Sequence, residues 1–161
     1  MYLVDTNFLG TLASVYPDTV FPTLWKKLEV ALTSDEVFFH EEVDKELAVW
    51  GAPEYGWYQK NVRQNQIIFP DQKEVDCYQE VVEWVVLGRK PKYHEAAVTE
   101  FLNEADSWLV ASAYRYGATI VTNEASAPNS LKKIKIPDVA VQFKVPCISA
   151  LEFLQRLNIK I

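Results

Sequence analysis

The sequence predicts an α/β fold, a three-layer sandwich around a mostly parallel sheet of about four to five strands, in one domain over residues 1–161. Three observations predict it. Short apolar runs alternate with longer stretches whose apolar residues repeat at helical spacing. No hairpin signal separates any two of those runs, so the connections cross over and the strands run parallel. The chain has 161 residues, 49% apolar and 24% charged, which suits one globular domain of roughly 150 residues and excludes disorder.

Taken in order, Tyr2-Leu3-Val4-Asp5 reads as a buried strand ending in an acid, and Thr6-Asn7 can cap the helix that follows over 8–15. Pro22 suits the first turn of a second helix, in which Leu24, Trp25, Leu28 and Leu32 share a face. Val37-Phe38-Phe39 is the next strand, and 40–50 is a helix with Val43, Leu47 and Trp50 along one side, broken by Gly51, Pro53 and Gly56. A helical stretch carries Trp57 and Tyr58, and Ile67-Ile68-Phe69 fits a short strand or an extended linker. The stretch 71–87 is a helix striped by Val75, Tyr78, Val82 and Val85, and Gly88 ends it. Helices over 93–102 and 105–116 follow, the second closed by Gly117 as its C-terminal cap. Thr119-Ile120-Val121-Thr122 is a strand, 123–133 a polar loop, 138–143 helical, Cys147-Ile148 a last strand and 150–157 the closing helix.

Composition narrows the function. No apolar run approaches the roughly 20 residues of a membrane span, and the N-terminus lacks a signal-peptide pattern. Cys77 and Cys147 are too few for a disulfide framework and lack zinc-site spacing; both are expected to be buried free thiols of a reducing cytoplasm. The five glycines are too scattered for a dinucleotide-binding or P-loop motif. Net charge is −6, opposite to a protein that holds nucleic acid by bulk charge. The charge is uneven, however. From 35 to 54 there are seven acids and one base, whereas from 126 to the C-terminus there are six bases and two acids, and Arg89-Lys90-Pro91-Lys92 lies between. That asymmetry fits ordinary solvated surface, or an acidic cleft with basic flanks.

Ligands of open parallel sheets bind beyond the carboxyl ends of the strands. Asp5 ends the first strand, Glu124 lies two residues beyond the fourth, and Asp106 opens the helix that feeds it. Glu41, Glu42, Asp44 and Glu46 sit on the helix after the second strand. Singly, each acid has an ordinary structural explanation: a helix cap, a favourable place at a helix dipole, or a solvated face. Together at one edge they repel one another, and a cation would hold them ionised. All-oxygen ligation suits Mg²⁺ or Mn²⁺ rather than zinc, and such ions can activate water against a phosphodiester. Nucleophilic alternatives are weak: His40 reads as a cap or a packed side chain and His94 as surface, and no Gly-x-Ser-x-Gly elbow is present.

These stretches resemble the PIN-domain nucleases, in particular a VapC-like group of toxin-type proteins long known only as a domain of unknown function. The resemblance lies in Tyr2-Leu3-Val4-Asp5-Thr6-Asn7, His40-x5-Glu46-Leu47, Ala105-Asp106-Ser107-Trp108-Leu109-Val110-Ala111 and Gly117-Ala118-Thr119-Ile120-Val121-Thr122-Asn123-Glu124. Ile136-Pro137-Asp138-Val139 and Val145-Pro146-Cys147-Ile148 extend it along nearly the whole chain. It implies Mg²⁺- or Mn²⁺-dependent cleavage of RNA, with Asp5, Glu46, Asp106 and Glu124 as catalytic and metal-binding acids and Asn7, Thr122 and Asn123 as supporting polar residues. It also implies a cognate antitoxin and a homodimer as partners. Two features depart from the pattern: the last acid is Glu124 where Asp is usual, and 51–91 is longer than in minimal members. Lys132, Lys133, Lys135, Arg89, Lys90 and Lys92 are the expected RNA-binding bases. On the helix 40–50, Glu46 is expected to be the working acid and Glu42 a first-turn dipole partner. The rival readings are a catalytically inactive interaction module, a receiver-like regulatory domain, for which Glu41 and Glu42 give no clean second strand-end acid, and a phosphohydrolase of small phosphate esters. Asn7, where haloacid-dehalogenase-type phosphatases carry a second Asp, counts against the last.

Overall fold

A computed structural model describes residues 1–51 and 53–160. Five strands form one sheet: β1 (Tyr2–Val4), β2 (Val37–His40), β3 (Ile67–Ile68), β4 (Thr119–Val121) and β5 (Cys147–Ile148). Their order is β3-β2-β1-β4-β5 and every neighbouring pair is parallel. The expected α/β sandwich is present, and the 67–69 stretch, open between strand and linker, pairs with β2 as a strand. Starting from β1 in the centre, the chain winds outward through β2 and β3. It then passes back across β1 to β4 and β5. The reversal falls between β1 and β4, where neighbouring crossovers diverge and a parallel sheet opens a crevice.

Nine helices accompany the strands among the described residues: α1 (Thr6–Val15), α2 (Pro22–Leu32), α3 (Glu41–Trp50), α4 (Pro53–Asn61), α5 (Gln72–Glu83), α6 (Glu95–Asn103), α7 (Ala105–Tyr116), α8 (Ile136–Ala140) and α9 (Ala150–Arg156). Leu3 and Val4 are successive and point to opposite faces of the sheet, yet both are fully buried. Both faces are therefore covered. Helix α7 packs on β2 and β4, with α5, α6 and α8 against it. On α1, Phe8 meets Phe153 of α9 edge to face, and Trp25 of α2 meets Trp57 of α4 in the same way. Leu24, Leu28 and Leu32, placed on one face by the sequence, are all buried. Truncating such a leucine to Ala costs about 2–5 kcal/mol.

Four local expectations are corrected. Gly51 ends α3 in the left-handed region at φ 61°, as a breaker should, but Pro53 and Gly56 lie within α4. Proline is tolerated at a first helical position because that N–H has no intrahelical partner. The 71–87 helix is regular only to Glu83 and continues as a wider turn over Trp84–Gly88. The helix expected from 93 starts at Glu95, because His94 is its extended N-cap and donates its N–H to the Leu131 carbonyl at 3.0 Å, while Tyr93 lies buried beneath the Arg89 guanidinium. Cys77 and Cys147 are half-buried rather than buried.

His40 does cap α3. Its Nδ1 accepts from the Glu42 N–H at 3.1 Å, which leaves Nε2 to donate to Glu74 Oε1 at 2.8 Å. Both side chains of that pair are fully buried. The imidazole lies parallel to Trp108 of α7, and Trp108 stacks on Tyr78 of α5 with ring centres 3.9 Å apart. One polar contact and two stacked ones thus tie the start of α3 to α5 and α7.

Candidate active site

Register in the sheet builds the site. Tyr2, Leu3 and Val4 lie beside Thr119, Ile120 and Val121, so Asp5 and Thr122 leave the sheet as neighbours despite a separation of 117 in sequence. The Asp5 backbone stands at the N-cap of α1, but its side chain makes no capping bond. Instead Thr122 Oγ1 donates to Asp5 Oδ2 at 2.7 Å and accepts from the Glu124 N–H at 3.1 Å. Asp5 is 3% exposed. Burial pushes its carboxyl from 3.8 up to about 7, against the pull of the Thr122 bond and with further help from the charges of Glu124 and Glu46.

Glu46 joins three helices. From α3 it accepts the Thr6 hydroxyl of α1 at 2.5 Å on one oxygen and the Ala105 N–H of α7 at 2.8 Å on the other. Glu42 lines the same cleft as Glu46 but makes no bond to α1 or α7; it pairs with Lys45 of its own helix at 2.6 Å. Asp106 lies one residue beyond Ala105, in the first turn of α7. Burial pushes its carboxyl up to about 9, and Asp5, Glu124, Glu104 and Glu46 add like charge. Glu124 accepts from the Lys135 ammonium at 3.1 Å and from the Ile136 N–H at the start of α8 at 2.8 Å.

The supporting amides hold this edge closed. Asn7 Oδ1 accepts from the Asn123 N–H at 3.1 Å, and Asn123 Oδ1 accepts from the Ala150 N–H at 3.0 Å. Asn123 Nδ2 is buried without a partner. Asp5, Glu46, Asp106 and Glu124 all line one cleft of about 500 Å³, with Thr6 and Asn7 beside them. The structure therefore brings together the four acids that the sequence singled out.

Among the described residues, no three His, Cys, Asp or Glu side chains are arranged to hold a metal ion as they stand. Each tie has a physical reason: mutually repelling carboxylates settle on the nearest donors, which here are Thr6, Ala105, Thr122, Lys135 and Ile136. The donor set itself is all oxygen and strongly acidic. Burial and neighbouring acids push two of its members, Asp5 and Asp106, above the usual carboxylate range, a shift that an added positive charge would oppose. The residues fit a hard divalent cation.

The expected RNA-binding bases divide. Lys132, Lys90 and Lys92 are exposed. Lys133 pairs with Glu100 at 2.8 Å, while Arg89 donates to the carbonyls of Pro91 and Pro128. Lys135 is committed to Glu124. Lys133 and Lys135 face a small recess that shares Asp106 and Glu124 with the main cleft. Sequence reasoning missed Thr6 and the Ala105 N–H as anchors of Glu46; the hydroxyl directly after Asp5 was the available signal. It also missed Trp50 on the cleft wall. Cysteine chemistry is disfavoured, since burial pushes the Cys147 thiol up to about 12.

Fold and site together define an α/β protein with a carboxylate cluster at the carboxyl edge of a parallel sheet. The chain belongs to the family described as a domain of unknown function, DUF4411, whose family model matches residues 2–161. No curated protein matches it. Among solved structures it is similar to a chain of VapBC2 from Rickettsia felis bound to a DNA fragment from their promoter. Identity is 17% over 92% of this chain and 97% of that one, with a TM-score of 0.46. A likeness of that size bears on neither site nor activity.

Proposed function

We propose that the protein is a Mg²⁺- or Mn²⁺-dependent endoribonuclease of the PIN-like kind, acting in the cytoplasm as the toxin of a toxin–antitoxin pair. The observation that carries this reading is the convergence of Asp5, Glu46, Asp106 and Glu124 on one cleft, from segments as far apart as β1 and the loop after β4. The sequence resemblance assigns roles to the same four positions. Asp5 and Asp106 would hold the ion, with Glu46 and Glu124 completing its surroundings directly or through water. When bound, such an ion supplies an activated water and offsets the charge that develops on the phosphodiester.

The chain's own residues do the rest. Thr122 orients Asp5 by donating to it and fixes the Glu124 backbone by accepting from it. Thr6 and the Ala105 N–H set the distance of Glu46 from Asp106. Lys135 balances Glu124 so that the rim of an acidic cleft does not repel a polyanion outright. Lys132, Lys133, Lys90 and Lys92 lie outside the cleft, where phosphate contacts position an RNA without reading its sequence. A homodimer and a separate antitoxin chain belong to the same proposal. Among the described residues no helix is long and apolar enough to cross a membrane.

The test is cleavage of single-stranded RNA by purified protein with Mn²⁺, with Mg²⁺ and with EDTA, alongside Asp106→Asn. Cleavage that needs the ion and Asp106 supports the reading. Metal-independent cleavage, or none under any condition, refutes it.

A further inference from the structure

We infer that Trp50 is a stacking platform for the nucleobase next to the scissile phosphate, a subsite that rests on the ribonuclease reading above. Trp50 and Val49 form an apolar wall of the acid-lined cleft and are 49% and 86% exposed. Metal-assisted phosphate chemistry has no use for such a wall. A nucleotide does, because its phosphate and its base need opposite surroundings at a short fixed separation.

The two helices beside the cleft supply that separation. Thr6 of α1 bonds Glu46 of α3. One turn further along both helices, Gly10 of α1 lies under Trp50 of α3. Positions four apart share a helix face and lie about one 5.4 Å pitch apart, comparable to the reach from a nucleotide's phosphate to its own base. The acid and the indole are thus consecutive on one face. Asn7 and Asn103 line the same cleft and offer amide groups to base edges.

Gly10 gives this placement an independent signature. Glycine inside a helix costs about 1 kcal/mol relative to alanine. Here a Cβ would stand 2.8 Å from Trp50 Cζ3 and 3.1 Å from Cη2. The missing side chain lets the indole lie against α1 with its remaining surface open to the cleft. Trp25, Trp57 and Trp84 are partly buried and pack against the core, which Trp50 does not. This one is seated at a helix-propensity cost and left half in solvent, as a platform for a flat apolar ligand is. Stacking on such a platform tolerates any base, so Trp50 contributes affinity and placement rather than sequence choice.

The experiment uses a short single-stranded RNA cut by the wild-type protein in Mn²⁺ at a mapped bond, and the same RNA with an abasic ribose on either side of that bond. Trp50→Ala is expected to lower kcat/KM on the intact RNA about 5- to 100-fold. Trp50→Phe should lose less, and Gly10→Ala, which displaces the indole without touching an acid, should also lose activity. One abasic substitution should cost the wild type a similar factor and cost Trp50→Ala almost nothing, because base and ring act as a pair. Equal abasic penalties in wild type and Trp50→Ala, or unchanged kcat/KM in all three variants, overturn the stacking role while leaving the nuclease reading intact. Unchanged RNA kinetics with lost binding of a co-purifying protein assigns Trp50 to a protein interface and likewise overturns it. A wild type that cuts no RNA removes both.

Discussion

Replacing Asp5 by Asn should make the metal-free protein more stable, and by an amount that depends on pH. The carboxyl rises from 3.8 to about 7 chiefly through burial. At about 1.4 kcal/mol per tenfold change in proton affinity, that caps the cost of ionising it at about 4 kcal/mol at pH 8. Asn keeps an oxygen for the Thr122 hydroxyl but adds an NH₂ that must find a partner, which takes back part of the gain. The expected net is about 1–2 kcal/mol, or an increase of roughly 3–6 °C in Tm for a chain of this size. Below about pH 4 the Asp5 carboxyl is protonated in both folded and unfolded chains and contributes no pH dependence. Between about pH 4 and 7 the folded chain keeps a proton that the unfolded chain has lost, so wild-type stability falls as pH rises. The fall continues toward pH 9 through Asp106. Thermal denaturation followed by circular dichroism in EDTA, at pH 4.5 and pH 8, measures this. The gap between variant and wild type should widen with pH, and Mn²⁺ should raise the wild-type Tm more than that of the variant. An Asp5→Asn protein with the same pH slope as wild type would refute the electrostatic account of the site.

Further outcomes follow from the same geometry. Glu46→Gln should lower the RNA cleavage rate by about 10²-fold, because the amide supplies only one oxygen for the two bonds to Thr6 and Ala105; Glu42→Gln, on the rim with Lys45, should cost a few tenths of a kcal/mol in stability and little activity. Inactivity of the Glu42 variant beside an active Glu46 one would reverse the assignment. Glu74→Ala should destabilise by about 1–3 kcal/mol in urea titrations, since it leaves the Nε2–H of a fully buried imidazole without a partner; a loss within error of zero would show that the pair is replaceable. Charge reversal at Lys132 and Lys133 should weaken RNA binding and flatten the dependence of log K on log salt, by up to about 0.7 for each lost phosphate contact to a single strand. An unchanged slope would return both lysines to plain surface.

Much of the site was readable in the sequence because strand ends are readable. Asp5 and Glu124 stand at fixed offsets from apolar runs, and parallel topology sends both to one edge. Glu42 and Glu46 are four apart and share one helix face, so only depth along the helix favoured Glu46, a turn beyond the first-turn acid and next to the buried Leu47. What could not be read were contacts made across the fold. The Ala105 N–H that anchors Glu46 is 59 residues away, and no local pattern announces it. The partner of His40 was hidden for the same reason, since Glu74 looks like one more surface acid in a helix rich in charge. Trp50 was placed on the apolar face of its helix, which is correct for direction and silent about whether that face is covered there. The wider turn at Trp84–Gly88 escaped because its apolar residues keep helical spacing.

The bond between Thr122 and Asp5 also bears on when the site exists. Its partners are 117 residues apart, and the Glu46 bonds close loops of 40 and 59 residues. Contacts of such range form late and slowly relative to local helices, because the intervening chain must be ordered first. During synthesis β1, the central strand, emerges before β4 and waits for it, its neighbour in the finished sheet. Until then Asp5 has neither Thr122 nor Glu124 beside it, and a partial chain ending before β4 lacks the cleft's far wall. The four acids are therefore brought together only once the chain from β1 through β4 and the loop after it has been made and folded, a delay that follows from the strand order.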